Sequence, residues 1–293
     1  MRTVRIRLAA AIALSALAAV PGPSGIARAA TPAAAPRPVT EKDFAVKNFS
    51  ARSTTVDNRF LPLPPGKQWT LTGTTTAGKH EVVFTVTNVT KWVDHVRTVA
   101  LWDRDFQDGV LAEEELAFMA QDDAGNVWSL GEYPEEIDAT TGARSAPRTW
   151  LAGHLGAIPG VLMRSDPKTG TSSYLQGLAP SVQFIDKAIV SQTGQTACVA
   201  TGCYSGVLVV DEWNPQAQPQ DGHQFKYHAP GLGVVQIVGK GGTEQETLAL
   251  TRLRTLTGSE MAAATARTLE LDRRAYGSVP DVYRHTAFAT VRK

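Results

Sequence analysis

The stretch DRDFQDGVLAEEE, positions 103–115, carries the densest oxygen chemistry in the chain. Asp103, Asp105 and Asp108 alternate with other residues, and Glu114 stands at the twelfth place. An EF-hand calcium loop needs oxygen ligands at positions 1, 3 and 5, glycine at 6 and glutamate at 12. Here position 5 is Gln107, glycine falls one place late, and the flanks VRTVALW and ELAFMA read as strands. A hairpin turning at Gln107-Asp108-Gly109 fits better, with glycine supplying a positive φ. Asp103, Asp105 and Asp108 are the calcium candidates, and calcium is the only cofactor the sequence raises.

The charge itself is not explained by a turn. Residues 103–138 hold twelve acids, with Arg104 the only base among them. Carboxylates that dense repel one another unless a cation or a basic partner neutralises them. Three readings follow: a solvated rim, a calcium site, or a surface for a basic partner.

Other catalytic signatures are scarce. No GxSxG elbow occurs, and SDPKTG (165–170) makes one lysine, Lys168, serve both an SxxK and a KTG string that normally use separate lysines. None of the six histidines forms an HExxH cluster. His223 and His228 are five apart, which in a strand puts them on opposite faces. Glu212 with His228 is the one acid–base pair worth carrying, as a carboxylate/His hydrolase site. Gly-rich phosphate loops and basic-aromatic interleaving for nucleic acid are absent. Trp128, Tyr133, Trp150, Tyr174, Trp213 and Tyr227 fall at strand ends or in connections, where large aromatics line a ligand-binding mouth or simply fill a core. Cys198 and Cys203 are the only cysteines. In an oxidising compartment they pair across a short loop, a cross-link worth about 2 kcal/mol on the loop-entropy model.

The elements that must position these groups are strands. EVVFTV (81–86), VRTVALW (96–102), ELAFMA (115–120), GVLVVDEW (206–213) and TLALTRLRTL (247–256) are strand-like, several with the period-two alternation of a half-buried sheet. AGKH (77–80), DDAGN (122–126) and APGLG (229–233) punctuate them as hairpin turns. Strands at short intervals without intervening helices predict an antiparallel meander. Residues 134–181, rich in Gly, Pro, Ser and Thr, read as long connections with one or two short strands. One helix is predicted over 257–277: Thr257 and Glu260 stand at capping-box spacing, and Met261, Ala264, Thr268, Leu271 and Ala275 form its apolar stripe.

Arg2, Arg5 and Arg7, an apolar run over 8–20 and Ala27-Arg28-Ala29 read as a secretory leader over 1–29. A disordered linker over 30–55, one β domain over 56–256 and a helix and tail over 257–293 complete the plan. The mature chain has no apolar stretch long enough to span a membrane. Of the 29 basic residues, Arg2, Arg5, Arg7 and Arg28 belong to the leader, leaving 25 against 28 acids, a net charge of −3. That balance gives no general pull on nucleic acid.

Four ordered strings resemble an uncharacterised family of exported bacterial β-rich proteins. DNRFLPLPPGKQWTLTG (57–73) is similar to its Phe-Pro-Leu-x-Pro-Gly lead-in, and LAEEELAFMAQDDAGNVWSLGE (111–132) to its Ala-Gln-Asp…Gly-Asn-Val-Trp hairpin. TWLAGHLGAIPGVLMRSDPKTG (149–170) resembles its Pro-Gly connection, and FKYHAPGLGVVQI (225–237) its Lys-Tyr-x-Ala-x-Gly-x-Gly strand. The resemblance implies a fold loosely like the half-barrels of lipoprotein carriers, and no assigned reaction. YLQGLAPSVQFID (174–186) lacks most of the acids that family members carry there.

The expectation is therefore a mainly β protein, secreted, with an antiparallel meander forming a curved sheet or partly open barrel over an apolar interior. The 134–181 connections and the C-terminal helix would help close it. The leading function is non-catalytic binding of a small apolar ligand or a protein partner. The alternatives are a secreted hydrolase and an extracellular interaction module with an acidic, calcium-binding surface.

Overall fold

Alternating side chains commit the chain to paired ribbons, and short turns dictate which ribbons meet. The computed structural model describes residues 37–217, 220–243 and 245–292, so the leader assigned to 1–29 lies outside the described residues. The first half supplies β1 (Lys67–Thr75), β2 (Gly78–Val93), β3 (Val96–Gln107), β4 (Val110–Gln121) and β5 (Val127–Ile137). Four short strands follow: β6 (Arg144–Ser145), β7 (Trp150–Leu151), β8 (Ile158–Met163) and β9 (Tyr174–Ala179). The second half adds β10 (Phe184–Val199), β11 (Gly202–Trp213), β12 (His223–Ala229), β13 (Gly233–Lys240) and β14 (Thr247–Thr255). Helices α1 (Gly258–Ser278) and α2 (Pro280–Tyr283) and strand β15 (Thr290–Val291) end the chain. The span 134–181 thus holds more strand than expected.

The strands run antiparallel in the order β1-β14-β13-β12-β11-β10-β9-β8-β5-β4-β3-β2, and β2 pairs back onto β1. The sheet expected to be curved or partly open is a closed twelve-stranded barrel, which leaves no free edge in the ring. The turn at 107–110 is the anticipated hairpin: Gln107 pairs with Val110, and Asp108 (φ 51°) and Gly109 (φ 82°) supply the two left-handed residues of a tight two-residue loop. Cys198 and Cys203 face each other in register across β10 and β11 and are disulfide-bonded.

The barrel has two unlike ends. At the end carrying the β4–β5 and β12–β13 turns, residues 37–66 cross the opening. The Asp123 amide donates to the Asn48 carbonyl at 2.8 Å and the Gly231 amide to the Arg59 carbonyl at 2.7 Å. Phe44 and Phe49 set their rings 5.5 and 6.2 Å from Trp128. The linker expected to be disordered over 30–55 is therefore ordered from 37 onward, with 3-10 turns at Glu41–Asp43 and Val46–Asn48. Composition misled here because a few aromatic anchors outweigh a Pro/Ala-rich neighbourhood.

Helix α1 lies on the outside of the β2–β3–β4 wall. Thr257 caps it through a full capping box with Glu260, and Ala264, Thr268, Leu271, Asp272 and Ala275 are its buried face. The expected stripe is present, except that Met261 gives way to Asp272. That aspartate meets Lys91 of β2 at 2.9 Å in an ion pair with essentially no exposure on either side. The helix covers the barrel's flank and does not close its interior.

Candidate functional site: a carboxylate-lined lumen

Period two divides the acidic stretch between the two faces of the wall. Asp103 stands opposite Glu115, Asp105 opposite Glu113, and Glu113 opposite Glu136, all in register across β3, β4 and β5. Residues paired this way share one face, and here it is the lumen. Their neighbours Glu114 and Glu135 share the other face and lie under α1. Arg267 binds both oxygens of Glu114, Arg274 binds Glu135, and Arg144 bridges the two at 2.8 and 3.0 Å. Burial alone would raise both carboxyls, but the guanidiniums hold them below the ordinary glutamate range. Of the twelve acids only Asp108, Asp123 and Asp138 are exposed as a solvated rim; Glu114 and Glu135 lie against the helix, and Asp103, Asp105, Glu113, Glu115, Glu132 and Glu136 are half-buried on the lumen side.

That cavity has a volume of about 190 Å³ and is lined by Glu115, Glu132, Arg148, Phe184, Asp186, Glu212, Trp213 and Lys226 among others. Glu115 on β4 and Lys226 on β12 stand six strands apart in a twelve-strand ring, on opposite walls, so the space crosses the lumen. It lies toward the end opposite the 37–66 segment, where Val182 and Gln183 precede β10. The interior expected to be apolar is charged at this end.

Charge in the cavity is unbalanced. Lys226 pairs with Glu212 at 2.6 Å, and Gln176 donates to the same carboxylate at 3.0 Å. Arg148 is taken by Glu113 at 2.5 Å and Glu136 at 2.8 Å. Glu115, Glu132 and Asp186 have no basic group within ion-pair distance among the described residues; Glu132 accepts only from the Trp150 indole at 3.0 Å. Burial pushes all three carboxyls up, and the neighbouring acids push Glu115 and Asp186 further; Asp186 is pushed to about 7. Glu113 likewise rises to about 7 and Asp103 goes well above the aspartate range, both chiefly through burial. Burial opposes the charge on Lys226, yet Glu212 and Asp186 outweigh it and the net shift is upward. Several of these side chains are only half-buried by surface area, but what they face is the cavity.

Packing sets the walls. Phe184 stacks on Trp150 at 5.2 Å and 24°, and a Cβ on Gly177 would sit 2.8 Å from Phe184 and 3.0 Å from Trp150. Glycine at 177 therefore lets the two rings close up behind Glu132. On the outer face of the wall Trp213 stacks on His223 at 5.5 Å and 23°, and His223 Nδ1 lies 2.6 Å from Asp211, because all three alternate with the inward Glu212 and Gln224. Tyr174, Ala188 and Glu212 form one lateral row across β9, β10 and β11, which puts Tyr174 on the lumen side. It is 2% exposed, Arg164 covers its ring at 4.0 Å, and its hydroxyl has no partner among the described residues.

The sequence candidates scatter. Trp213 borders the cavity mouth but turns its ring to the outer face, Trp150 backs the cavity and Tyr174 lies beneath it. Trp128 packs at the covered end and donates to Asp122 at 2.9 Å, Tyr133 lies outside the wall against Tyr283, and Tyr227 alternates with the inward Lys226 and faces out. Glu212 and His228 share the lumen face, but no hydrogen bond joins them; His228 Nδ1 meets the Phe60 carbonyl at 3.1 Å, and burial drops its pKa to about 4. Asp105 bonds His80 at 2.7 Å, whereas Asp108 at the hairpin tip accepts from the Lys79 amide at 2.9 Å. Among the described residues no group of three or more His, Cys, Asp or Glu is arranged to hold a metal. The residues sequence reasoning missed are Glu115, Glu132, Asp186, Lys226 and Arg148. Alternation from Glu113 and Glu115 through the β4–β5 hairpin could have placed the first two, since Glu132 pairs with Ala117 in phase with Glu115; nothing local flags the last three.

Fold and cavity together define a class: a closed antiparallel barrel with an acidic lumen and a helix on its outer wall. No protein-family model and no curated protein matches the chain. A solved structure similar to it is a "putative lipoprotein" from Parabacteroides distasonis, 10% identical, with 67% of this chain and 99% of that one covered and a TM-score of 0.38. A likeness of that degree carries no argument about activity. No helix among the described residues is long and apolar enough to cross a membrane.

Proposed function

We propose that this is an exported, non-catalytic binding protein that takes a small cationic, amine-bearing ligand into the barrel lumen. Export rests on the leader-like N-terminus. The observation that carries the binding reading is that Glu115, Glu132 and Asp186 surround one cavity with no basic group within ion-pair distance among the described residues. An ammonium group entering there meets preorganised carboxylates in a poorly solvated space, where charge-assisted hydrogen bonds are strong. An apolar ligand would strand those carboxyls without water, which is costly. Isothermal titration calorimetry with 1,4-diaminobutane, 1,4-butanediol and succinate tests it. Saturable heat with the diamine alone, weakened at least tenfold by Glu132→Gln with Asp186→Asn, is expected. Equal binding of the diol, or none of the diamine, overturns it.

One observation favours hydrolysis as a second reading. Asp186, a carboxylic acid poised near neutrality, faces the same cavity as the Lys226-paired Glu212, an acid and a carboxylate at one site. Nitrophenol release from aryl glycosides, abolished by Asp186→Asn, would support it; no turnover across such a panel removes it.

A further inference from the structure

Resting on the cation-binding reading, we infer that Arg148 sets the length of the ligand: its guanidinium fills the outer part of an acidic track with a charge of the protein's own, so the lumen takes a short diamine and turns away a longer polyamine.

The track follows from strand geometry. Glu113 and Glu115 face the lumen together on β4, two residues and about 7 Å apart along the strand. Glu113 stands opposite Glu136 on β5, whereas Glu132 lies further in, opposite Ala117. Two acidic groups result. The inner one, Glu115, Glu132 and Asp186, lines the cavity with no cation at ion-pair distance among the described residues. The outer one, Glu113 and Glu136, lies a step nearer the β3–β4 turn.

Arg148 separates the two groups. It lines the cavity, and neither Glu113 nor Glu136 does. Its guanidinium meets Glu113 at 2.5 Å and Glu136 at 2.8 Å. The outer pair therefore already holds a cation, one tethered to the connection between β6 and β7. Arg144, four residues earlier, crosses to the outer face and binds Glu114 and Glu135, so this connection sends one arginine to each side of the wall. The charge of Arg148 also reaches the inner group: burial pushes Glu115 and Glu132 up, and the guanidinium opposes that rise. An arriving cation meets the same guanidinium as repulsion.

That arrangement discriminates by length. Three carboxyls without a cation of their own accommodate the two ammonium groups of a diamine. A third ammonium on an aminopropyl arm reaches outward, four bonds of about 1.5 Å putting its nitrogen about 5 Å further on. There the outer carboxylates are taken and a like charge stands beside them, which is a device for rejecting the longer ligand. An acidic cavity without that arginine follows the opposite rule, because each added ligand charge strengthens the attraction.

Calorimetry on the full chain at pH 8 compares 1,4-diaminobutane with spermidine, the same diamine carrying an aminopropyl arm. Wild type is expected to bind the diamine at least threefold more tightly, a result that needs no variant. Arg148→Gln opens the outer pair and should reverse that order, strengthening spermidine at least tenfold and the diamine less than threefold. Arg148→Lys keeps a cation there and should keep the wild-type order. The Arg148 side chain is 52% exposed, so neither substitution disturbs the core, and circular dichroism checks that both variants fold. Spermidine binding wild type more tightly than the diamine overturns the inference. So does Arg148→Gln strengthening both amines alike or neither, or Arg148→Lys reversing the order as well. Diamine binding to wild type leaves the cation reading standing in each of those cases, and binding of neither amine overturns both.

Discussion

Glu114 and Glu115 are adjacent in the chain and sit on opposite sides of the barrel wall. Glu114 is 3% exposed and clamped by Arg267 and Arg144, whereas Glu115 faces the lumen with no cation at ion-pair distance among the described residues. Removing either should have opposite consequences. Glu114→Ala leaves two guanidiniums at the helix interface unpaired. Breaking a buried pair costs about 3–5 kcal/mol; because Arg267 and Arg144 stay 23% and 32% exposed, a loss of about 2–3 kcal/mol is expected. Glu115→Gln replaces a carboxyl that burial and Glu132 already push upward, so it should stabilise the ligand-free protein at pH 8 by on the order of 1 kcal/mol and change little at pH 5. Urea unfolding at the two pH values separates the cases, and a destabilising Glu115→Gln at pH 8 would contradict the placement.

The same division predicts the pH profile of stability. Asp186 and Glu113 titrate near 7 in the folded chain and near 3.8 and 4.5 otherwise, so between those values the native state binds more protons than the unfolded one. Stability therefore falls as pH rises from about 4.5 to 7. Glu114 and Glu135 shift the other way; their contribution is present above about 4.5 and lost as pH falls through their depressed folded values. Stability of the ligand-free protein should peak near pH 5, and Asp186→Asn should flatten the limb above the peak. Unfolding midpoints measured from pH 3.5 to 8.5 check this. A peak at pH 7 or above with wild-type protein would show that the lumen acids are ionised and balanced by something else.

Local features of the fold are legible in the sequence. The turn at Asp108-Gly109, the capping box at Thr257 and the strand alternation depend on residues within a few positions of one another, and the structure shows all three. The cavity depends on ring closure. Glu115 and Lys226 become partners in one space only because β2 pairs back onto β1 and brings β4 and β12 to opposite walls. No spacing rule encodes a contact across 111 positions. The aromatics misled for a related reason: strand-end tryptophans and tyrosines look alike in sequence, but register sends Tyr133 outward and Tyr174 inward. The helix was legible as amphipathic, whereas the Asp272 in its buried face makes sense only once Lys91 is found opposite.

His80 gives a third measurable consequence. Its ring sits between Asp105 at 2.7 Å and Glu246 at 2.8 Å, tying β2 to β3 and to the start of β14. Burial opposes the imidazolium, but bonds to the two carboxylates win and lift its pKa to about 10. The folded value is above the unfolded 6.5, so the contribution is complete below 6.5 and disappears as pH climbs through 10. Stability should drop by on the order of 2–4 kcal/mol between pH 7 and pH 10.5. His80→Gln should start lower and lose the His-dependent part of that slope. Proton-coupled NMR of the ring would show a cation at pH 8; a neutral imidazole there would contradict the network.

The docking of α1 supplies the fourth. Lys91 reaches Asp272 at 2.9 Å, donates to the Ala287 carbonyl at 2.8 Å and lies 4.6 Å from the centre of the Tyr283 ring. Asp272 in turn accepts from the Ala289 amide at 2.8 Å. Lys91→Met strands the carboxylate in an apolar interface and should cost about 3–5 kcal/mol. Lys91→Met with Asp272→Leu removes both charges, so the pair itself no longer matters. The Ala287 carbonyl and Ala289 amide then lose partners, at about 1–3 kcal/mol each. The double variant is therefore expected between wild type and Lys91→Met, with a favourable coupling energy in the cycle. Because α1 lies outside the wall, lumen affinity for 1,4-diaminobutane should be unchanged in the double variant wherever it is folded. A loss of lumen affinity there would mean that the helix shapes the cavity through the wall, and the separation of the two acidic faces would have to be abandoned.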